Sequence, residues 1–320
     1  MRRLCLFTAL FIILAGLYWL LEGPEKNNAS REPGAVLIGF SSANVERITL
    51  TTPSADVIVL QRIDAGWQVS AGQDNAYAAD SSAVQKLLTT LAALNTGSVV
   101  SRNSKRHALY EVSPETGLLI EMADSAQRPI AKLLIGKSGP NIFSTYVRAA
   151  DSDAVYLVDG ILKDKVSKTL SEWRDKSLFE LEPGALHSYT VSGDMRLSLQ
   201  KKSGTWQAGD VAVSAKAVGQ LLQSFASLNS VDFSEGPLEE FGLTEPARVI
   251  TAGLENGERT SLLFGSDTNA FQQYAKTADS DTIYIVEKHI LGMLCPTLEE
   301  LIAPEAEESA AELQQPAISH

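Results

Sequence analysis

Two stretches of the chain carry apolar residues at relative positions 0, 3, 4, 7 and 10: Val84, Leu87, Leu88, Leu91, Leu94 and Val218, Leu221, Leu222, Phe225, Leu228. That spacing puts the apolar side chains on one face of a helix, and it predicts two amphipathic helices that each cover a core. Asp80 or Ser81 ahead of the first, and Ser214 ahead of the second, are placed to cap the free N–H groups of the first turn. Asn95 and Asn229 are expected to close them. Upstream of each helix, Leu60-Gln61-Arg62 and Gly66-Trp67-Gln68 face Leu199-Gln200-Lys201 and Thr205-Trp206-Gln207, which predicts a strand-turn-strand start in both places.

The likeness continues downstream. Leu133-Leu134-Ile135-Gly136 answers Leu262-Leu263-Phe264-Gly265, and Tyr146-Val147-Arg148 answers Tyr274-Ala275-Lys276. Ala150-Asp151-Ser152-Asp153 recurs as Ala278-Asp279-Ser280-Asp281, each copy running into an apolar strand at Val155-Tyr156-Leu157-Val158 or Ile283-Tyr284-Ile285-Val286. The offset falls from 139 residues at the tryptophans to 128 at the tyrosines, as loop shortening in the second copy would produce. The pattern predicts an α+β fold of two tandem repeats, each a mainly antiparallel β module with a packed helix, and a second helix from Ile161 to Asp175 linking them. Residues 35–178 form the first module and 179–303 the second. The ending 304–320 carries four glutamates and no basic residue, the composition of a disordered acidic tail.

The first residues change the picture. Arg2 and Arg3 precede an uncharged run from Leu4 to Leu21, including Phe11, Ile12, Ile13 and Leu14, with Tyr18 and Trp19 near its far end. Its 18 residues reach the lower limit for crossing a bilayer as a helix. The basic flank stays cytoplasmic, so residues 1–21 are expected to be a transmembrane anchor, N-in, with 22–34 a tether. No small-x-small site follows the apolar core, which favours retention over cleavage as a signal peptide. The expected location is a bacterial inner membrane, single-pass, with the bulk of the chain periplasmic. A formal net charge of −12 argues against a nucleic-acid partner, because binding a phosphate backbone requires a basic surface. Cys5 lies in the apolar run, so Cys295 has no partner for an internal disulfide.

Candidate chemistry is sparse. His107, His187, His289 and His320 stand singly, without a second ligand at zinc spacing. Gly136-Lys137-Ser138 ends like a phosphate-binding loop, but Ala131 occupies the place of the leading glycine. The doubled Asp-Ser-Asp reads as a hairpin turn rather than a calcium loop, whose other ligands it lacks. Trp67 and Trp206 are the candidate binding aromatics for a glycan or peptide, although a Trp-Gln repeated at one point of a module more readily marks a buried strand residue. No catalytic, cofactor-binding or metal-binding residue is assigned, no cofactor is expected, and the balance leans against an enzyme.

With these blocks in view, the chain resembles the bacterial family catalogued as domain of unknown function 4340. The resemblance rests on Gly66-Trp67-Gln68, Tyr110-Glu111-Val112-Ser113-Pro114, Leu134-Ile135-Gly136, Tyr146-Val147-Arg148 and Trp173-Arg174-Asp175-Lys176-Ser177-Leu178-Phe179. In the second copy, Phe241-Gly242-Leu243-Thr244-Glu245-Pro246 is closer to the family's Tyr-Gly-Leu-x-x-Pro; Glu111 replaces that glycine in the first, which predicts a different turn there. The resemblance implies a membrane-anchored protein of unassigned activity, encoded beside ABC-type export or gliding-type transport components. Its expected partners are therefore the inner membrane and an ABC transporter permease or related envelope protein, in an accessory or scaffold role. The alternatives are a periplasmic glycan- or peptide-binding module and an unrecognised hydrolase.

Overall fold

The computed structural model describes residues 37–302 except Ala65, Gln73, Asp74 and Thr96. They fall into two compact units that divide between Asp175 and Lys176. In the first unit the strands are β1 (Arg47–Thr51), β2 (Val57–Ile63), β3 (Gly66–Ala71) and β4 (Tyr77–Ala78), followed by helix α1 (Ser81–Ala92). Next come β5 (Ser98–Ser101), β6 (Leu118–Ala123), β7 (Pro129–Ser138), β8 (Ser144–Ala149) and β9 (Val155–Asp159), and the one-turn helices α2 (Lys163–Val166) and α3 (Leu170–Trp173). The strands form one nine-stranded sheet in the order β4-β3-β2-β1-β6-β7-β8-β9-β5. All its pairings are antiparallel.

The second unit repeats the sequence of elements: β10 (Leu186–Gly193), β11 (Leu197–Lys202), β12 (Thr205–Ala208), β13 (Val211–Ala212), α4 (Ala215–Ala226), β14 (Asp232–Ser234), β15 (Arg248–Leu254), β16 (Arg259–Asp267), β17 (Gln272–Thr277), β18 (Ile283–Glu287), α5 (His289–Leu294) and α6 (Leu298–Ile302). Its sheet runs β13-β12-β11-β10-β15-β16-β17-β18-β14, the same order with every strand advanced by nine.

These sheets overturn the α+β expectation. Each unit is one wide antiparallel sheet with a single helix of substantial length, and its short strands exist through pairing with distant neighbours rather than through any local pattern. The expected helix over Ile161–Asp175 is also corrected. Ser167 ends α2, and Thr169 starts α3 afresh with a capping box, its hydroxyl facing the Glu172 N–H while the Glu172 carboxylate accepts from the Thr169 N–H. Among the described residues no helix is long and apolar enough to cross a membrane. The expected transmembrane anchor, with Leu4, Phe11, Ile12, Ile13, Leu14 and Trp19, lies outside the described residues, as do the tether 22–34 and the tail 304–320.

Alternation along the strands builds the core. Ile48 and Leu50 of β1 and Leu118, Ile120 and Met122 of β6 point to one face, where Val84, Leu87, Leu88 and Leu91 of α1 cover them. In the second unit Tyr189, Ile250, Leu262 and Phe264 meet Val218, Leu221, Leu222 and Phe225 of α4. Asp80 and Ser214 cap the two helices by accepting from Ala83 and Ala217 N–H. The helices end at Ala92 and Ala226, three residues before the asparagines expected to close them. The one-turn helices fold back on the same corner in both units, where Trp173 O accepts from Asp80 N and Leu301 O from Ser214 N, each at 2.9 Å. Each unit thus closes on itself.

The opposite sheet face carries a smaller cluster. A 3-10 turn over Ser104–Tyr110 leads a strap across β7, seating Val112 against Leu134 and Val155, with the Tyr110 and Tyr146 rings 4.8 Å apart. The second unit does the same with Leu238–Phe241, where Leu243 meets Ile283 and the Phe241 and Tyr274 rings lie 4.6 Å apart. Both straps leave their 3-10 turn through a left-handed residue, Glu111 at φ 56° and Gly242 at φ 67°. The turn is therefore shared, contrary to expectation, and glutamate tolerates the conformation at a cost that glycine avoids. Glu111→Gly should stabilise the first unit by about 0.5–1 kcal/mol, because the exposed ion pair it removes, to Lys163 at 3.4 Å, contributes little. Denaturant unfolding checks this, and a fall in stability would contradict it.

Candidate functional site

The two candidate aromatics lie in strands. Trp67 of β3 is 5% exposed and Trp206 of β12 is 8% exposed, and both belong to their unit's main core. Arg62 lies 4.7 Å over the Trp67 ring, so one face of that indole is already covered. Neither ring is open to stacking. Gly136-Lys137-Ser138 lies on β7, with no helix following it, and so cannot cradle a phosphate as a P-loop does. The doubled Asp-Ser-Asp forms the β8–β9 and β17–β18 turns, where Ser152 and Ser280 side chains accept from Ala154 and Thr282 N–H at 3.1 Å. Among the described residues no group of three or more His, Cys, Asp or Glu side chains could hold a metal ion.

The histidines are separate. His107 Nε2 lies 3.1 Å from Asp153 O, and His289 Nδ1 pairs with Glu287 at 2.8 Å on the surface. Tyr189 is buried, which pushes its phenol well above the ordinary range, and it donates to Leu294 O at 2.7 Å to tie α5 to the sheet. Cys295, half-buried at the end of α5, is pushed up by burial and drawn back down by Arg248, whose guanidinium already holds Asp194 through two bonds of 2.8 and 2.7 Å. None of these forms a nucleophile–base pair.

Two features recur at matching positions in both units. The first is a cleft between the segment leading into each sheet and the near ends of two central strands. In unit one it holds about 640 Å³ between Leu37, Ile38, Ile130 and Ala149. In unit two it holds about 590 Å³ between Leu178, Phe179, Arg259 and Thr277. Leu37 N and Leu178 N donate to Leu94 O and Leu228 O, so both leading segments are pinned by the same backbone bond. The linings have diverged: the first is mostly apolar, whereas the second is edged by Glu180, Glu258, Arg259 and Asp279.

The second feature lies at the far ends of those strands. The β7–β8 hairpin carries Asn141-Ile142-Phe143 and the β16–β17 hairpin Asn269-Ala270-Phe271. In each, the asparagine side chain accepts from the phenylalanine N–H, at 2.9 and 2.8 Å, and the phenylalanine carbonyl accepts from the residue after the next strand, Gly160 N at 2.6 Å or Lys288 N at 2.8 Å. The turn is held by backbone, asparagine and neighbouring polar side chains, Ser144 in the first unit and Thr268 and Gln272 in the second. The rings do nothing for it, yet Phe143 is 61% exposed and Phe271 79%, with Ile142 beside the former at 69%. Large apolar side chains are thus left in water at the same point of both units, where the turn itself makes no demand for them. The sequence held this signal, an Asn-x-Phe at the 128-residue offset of the tyrosines, but at a hairpin tip it passes for turn chemistry.

A duplicated antiparallel β module, each copy closed by its own short helices and presenting an aromatic hairpin tip, is the class of protein these features define. The chain belongs to the DUF4340 family, a domain of unknown function, whose model matches residues 67–236 and 231–308. No curated protein and no solved structure matches it.

Proposed function

We propose that the chain is an accessory or scaffold component of an ABC-type envelope system, which docks a partner protein on the extracytoplasmic side of a bacterial inner membrane through the hairpin tips of its two modules. The observation that supports docking is the exposed phenylalanine retained at both tips, Phe143 and Phe271. A phenyl ring fully buried in a partner contributes roughly 1.5–3 kcal/mol, so two such anchors change affinity by orders of magnitude. The location in this proposal rests on sequence alone, the basic Arg2-Arg3 pair ahead of the apolar run 4–21. The transporter association rests on the family resemblance. The glycan- or peptide-binding alternative rests on Trp67 and Trp206 as its stacking platform, and both are buried.

The test is purification of the intact protein in mild detergent with identification of what co-purifies. Recovery of an ABC permease or ATPase at near-equal amounts supports the reading, and recovery of the protein alone counts against it. Phe143→Ser with Phe271→Ser should leave unfolding within about 0.5 kcal/mol of the parent, as exposed positions do, while weakening the recovered complex at least about tenfold. A complex indifferent to both substitutions places the interface elsewhere.

A further inference from the structure

Unit one holds a third cavity, of about 610 Å³, between α1 and the α2–α3 corner. Three lysines line it: Lys86 from α1, and Lys165 and Lys168 from the corner. Two are positioned rather than free to wander. Lys165 Nζ donates to Thr90 Oγ1 at 3.3 Å, and Lys168 Nζ lies 4.8 Å from the centre of the Trp173 ring. Hydroxyls of Ser82, Thr89 and Thr90 complete the rim. The one carboxylate in the lining, Asp80, is engaged as the helix cap, accepting from Ala83 N at 2.9 Å. Among the described residues none of the three ammonium groups has a carboxylate partner.

The second unit supplies an internal control. Its corner has the same construction, with the capping box of Thr169 and Glu172 repeated by Thr297 and Glu300 and the same bond from the helix cap to the end of the corner. At the positions of Lys86, Lys165 and Lys168 it carries Gln220, Met293 and Pro296. The corner therefore forms without these three lysines, and unit two carries one lysine, Lys216, at the place of Ser82, so the gathering of three is particular to unit one. Three like charges around one cavity repel each other, and they are unusual in a chain of net charge −12 unless an anion joins them.

We propose that this cavity binds a phosphate-bearing ligand, either the headgroup of a phospholipid or a soluble phosphate ester. A terminal phosphate, as in phosphatidate or a soluble phosphate monoester, offers about two negative charges and several acceptor oxygens, which match three ammonium donors and a rim of hydroxyls better than the single charge of a carboxylate or a phosphodiester does. The site is independent of the hairpin tips and of any docking they perform.

Calorimetric titration of the full-length protein in neutral detergent with inorganic pyrophosphate tests the proposal, with Lys86→Gln/Lys165→Met as the comparison because those are the residues unit two uses. Saturable binding that weakens at least about tenfold in the double variant, and weakens with salt in the parent, is the expected result. No binding at millimolar pyrophosphate, or equal binding in the double variant, overturns it. Lys86→Gln alone, at an exposed helix position, keeps the test valid should the double variant unfold. Glycerol 3-phosphate and vesicles of phosphatidylcholine with phosphatidate then separate the sources: lysine-dependent binding to the vesicles alone assigns a headgroup, and to the soluble ester alone a small metabolite.

Discussion

Gly136→Ala is expected to destabilise the first unit by about 3 kcal/mol, the upper part of the range for overpacking a filled site. The added Cβ would be driven against Tyr110 O and the Val112 side chain. Neither can yield cheaply. Tyr110 O belongs to the backbone just ahead of the left-handed Glu111, and Val112 is fixed by its own N–H, which donates to His107 O at 2.9 Å. To admit a methyl group the strap must lift from β7, and lifting it separates Val112 from Leu134 and Val155 and parts the Tyr110 and Tyr146 rings. Gly265→Ala should act alike in the second unit, where its Cβ would meet Phe241 O and Leu243. Thermal unfolding of either variant should show a midpoint lower by about 10 °C, given roughly 2–4 °C per kcal/mol for units of this size. A loss below about 1 kcal/mol would mean that the strap is not seated on the strand in solution.

The same glycines show what the sequence could reveal. Leu-Ile-Gly and Leu-Phe-Gly were legible as matching blocks, but the reason for the glycine was not, because the backbone that passes over it comes from a strap some 25 residues earlier. Local spacing was readable: Val84, Leu87, Leu88 and Leu91 bury the face that their periodicity predicts, since a helix is defined by residues three and four apart. Pairing across the chain was not. Strand β5 has four residues and no alternation, and it exists because Val99 meets Tyr156 on β9. The shortest strands of each sheet therefore went unread and the balance tipped toward α+β. The break in the expected helix over Ile161–Asp175 was present in sequence as Thr-x-x-Glu at Thr169 and Glu172, repeated at Thr297 and Glu300, but an apolar pattern spanning both halves masked it. For the site, the conspicuous Trp-Gln and Asp-Ser-Asp pairs drew the reading to a core strand and a turn, while the exposed phenylalanines stood in two hairpin tips that no motif singles out.

Arg148→Met should lower the stability of the first unit by about 2–3 kcal/mol, and the sign depends on two opposed effects. Arg148 is buried on β8 with no carboxylate in contact, and burial pushes its pKa down while nearby Asp153 pulls it back up. A buried charge is costly, and methionine would relieve that. Against this, the guanidinium donates to Val112 O and Ser152 O at 2.9 Å, to Ala150 O at 3.1 Å and to Ala149 O at 3.4 Å, so it ties the strap, the end of β8 and the β8–β9 turn to one point. Methionine can fill the space but donates nothing, leaving the buried Val112 O without this donor at roughly 1–3 kcal/mol and the half-buried Ala150 and Ser152 carbonyls with less, while Ala149 O keeps the Ser152 N–H. The lost bonds outweigh the desolvation because three carbonyls lose their donor at once and only one charge is relieved. Lysine should lose about half as much, since it keeps the charge and fewer bonds; the second unit uses this simpler version, with Lys276 Nζ donating to Thr277 O at 3.1 Å. Denaturant unfolding of both variants gives the order, and hydrogen exchange gives the place: the Val112 amide should lose protection first. Equal or greater stability of Arg148→Met would show that desolvation wins and that the guanidinium is tolerated at this position rather than needed.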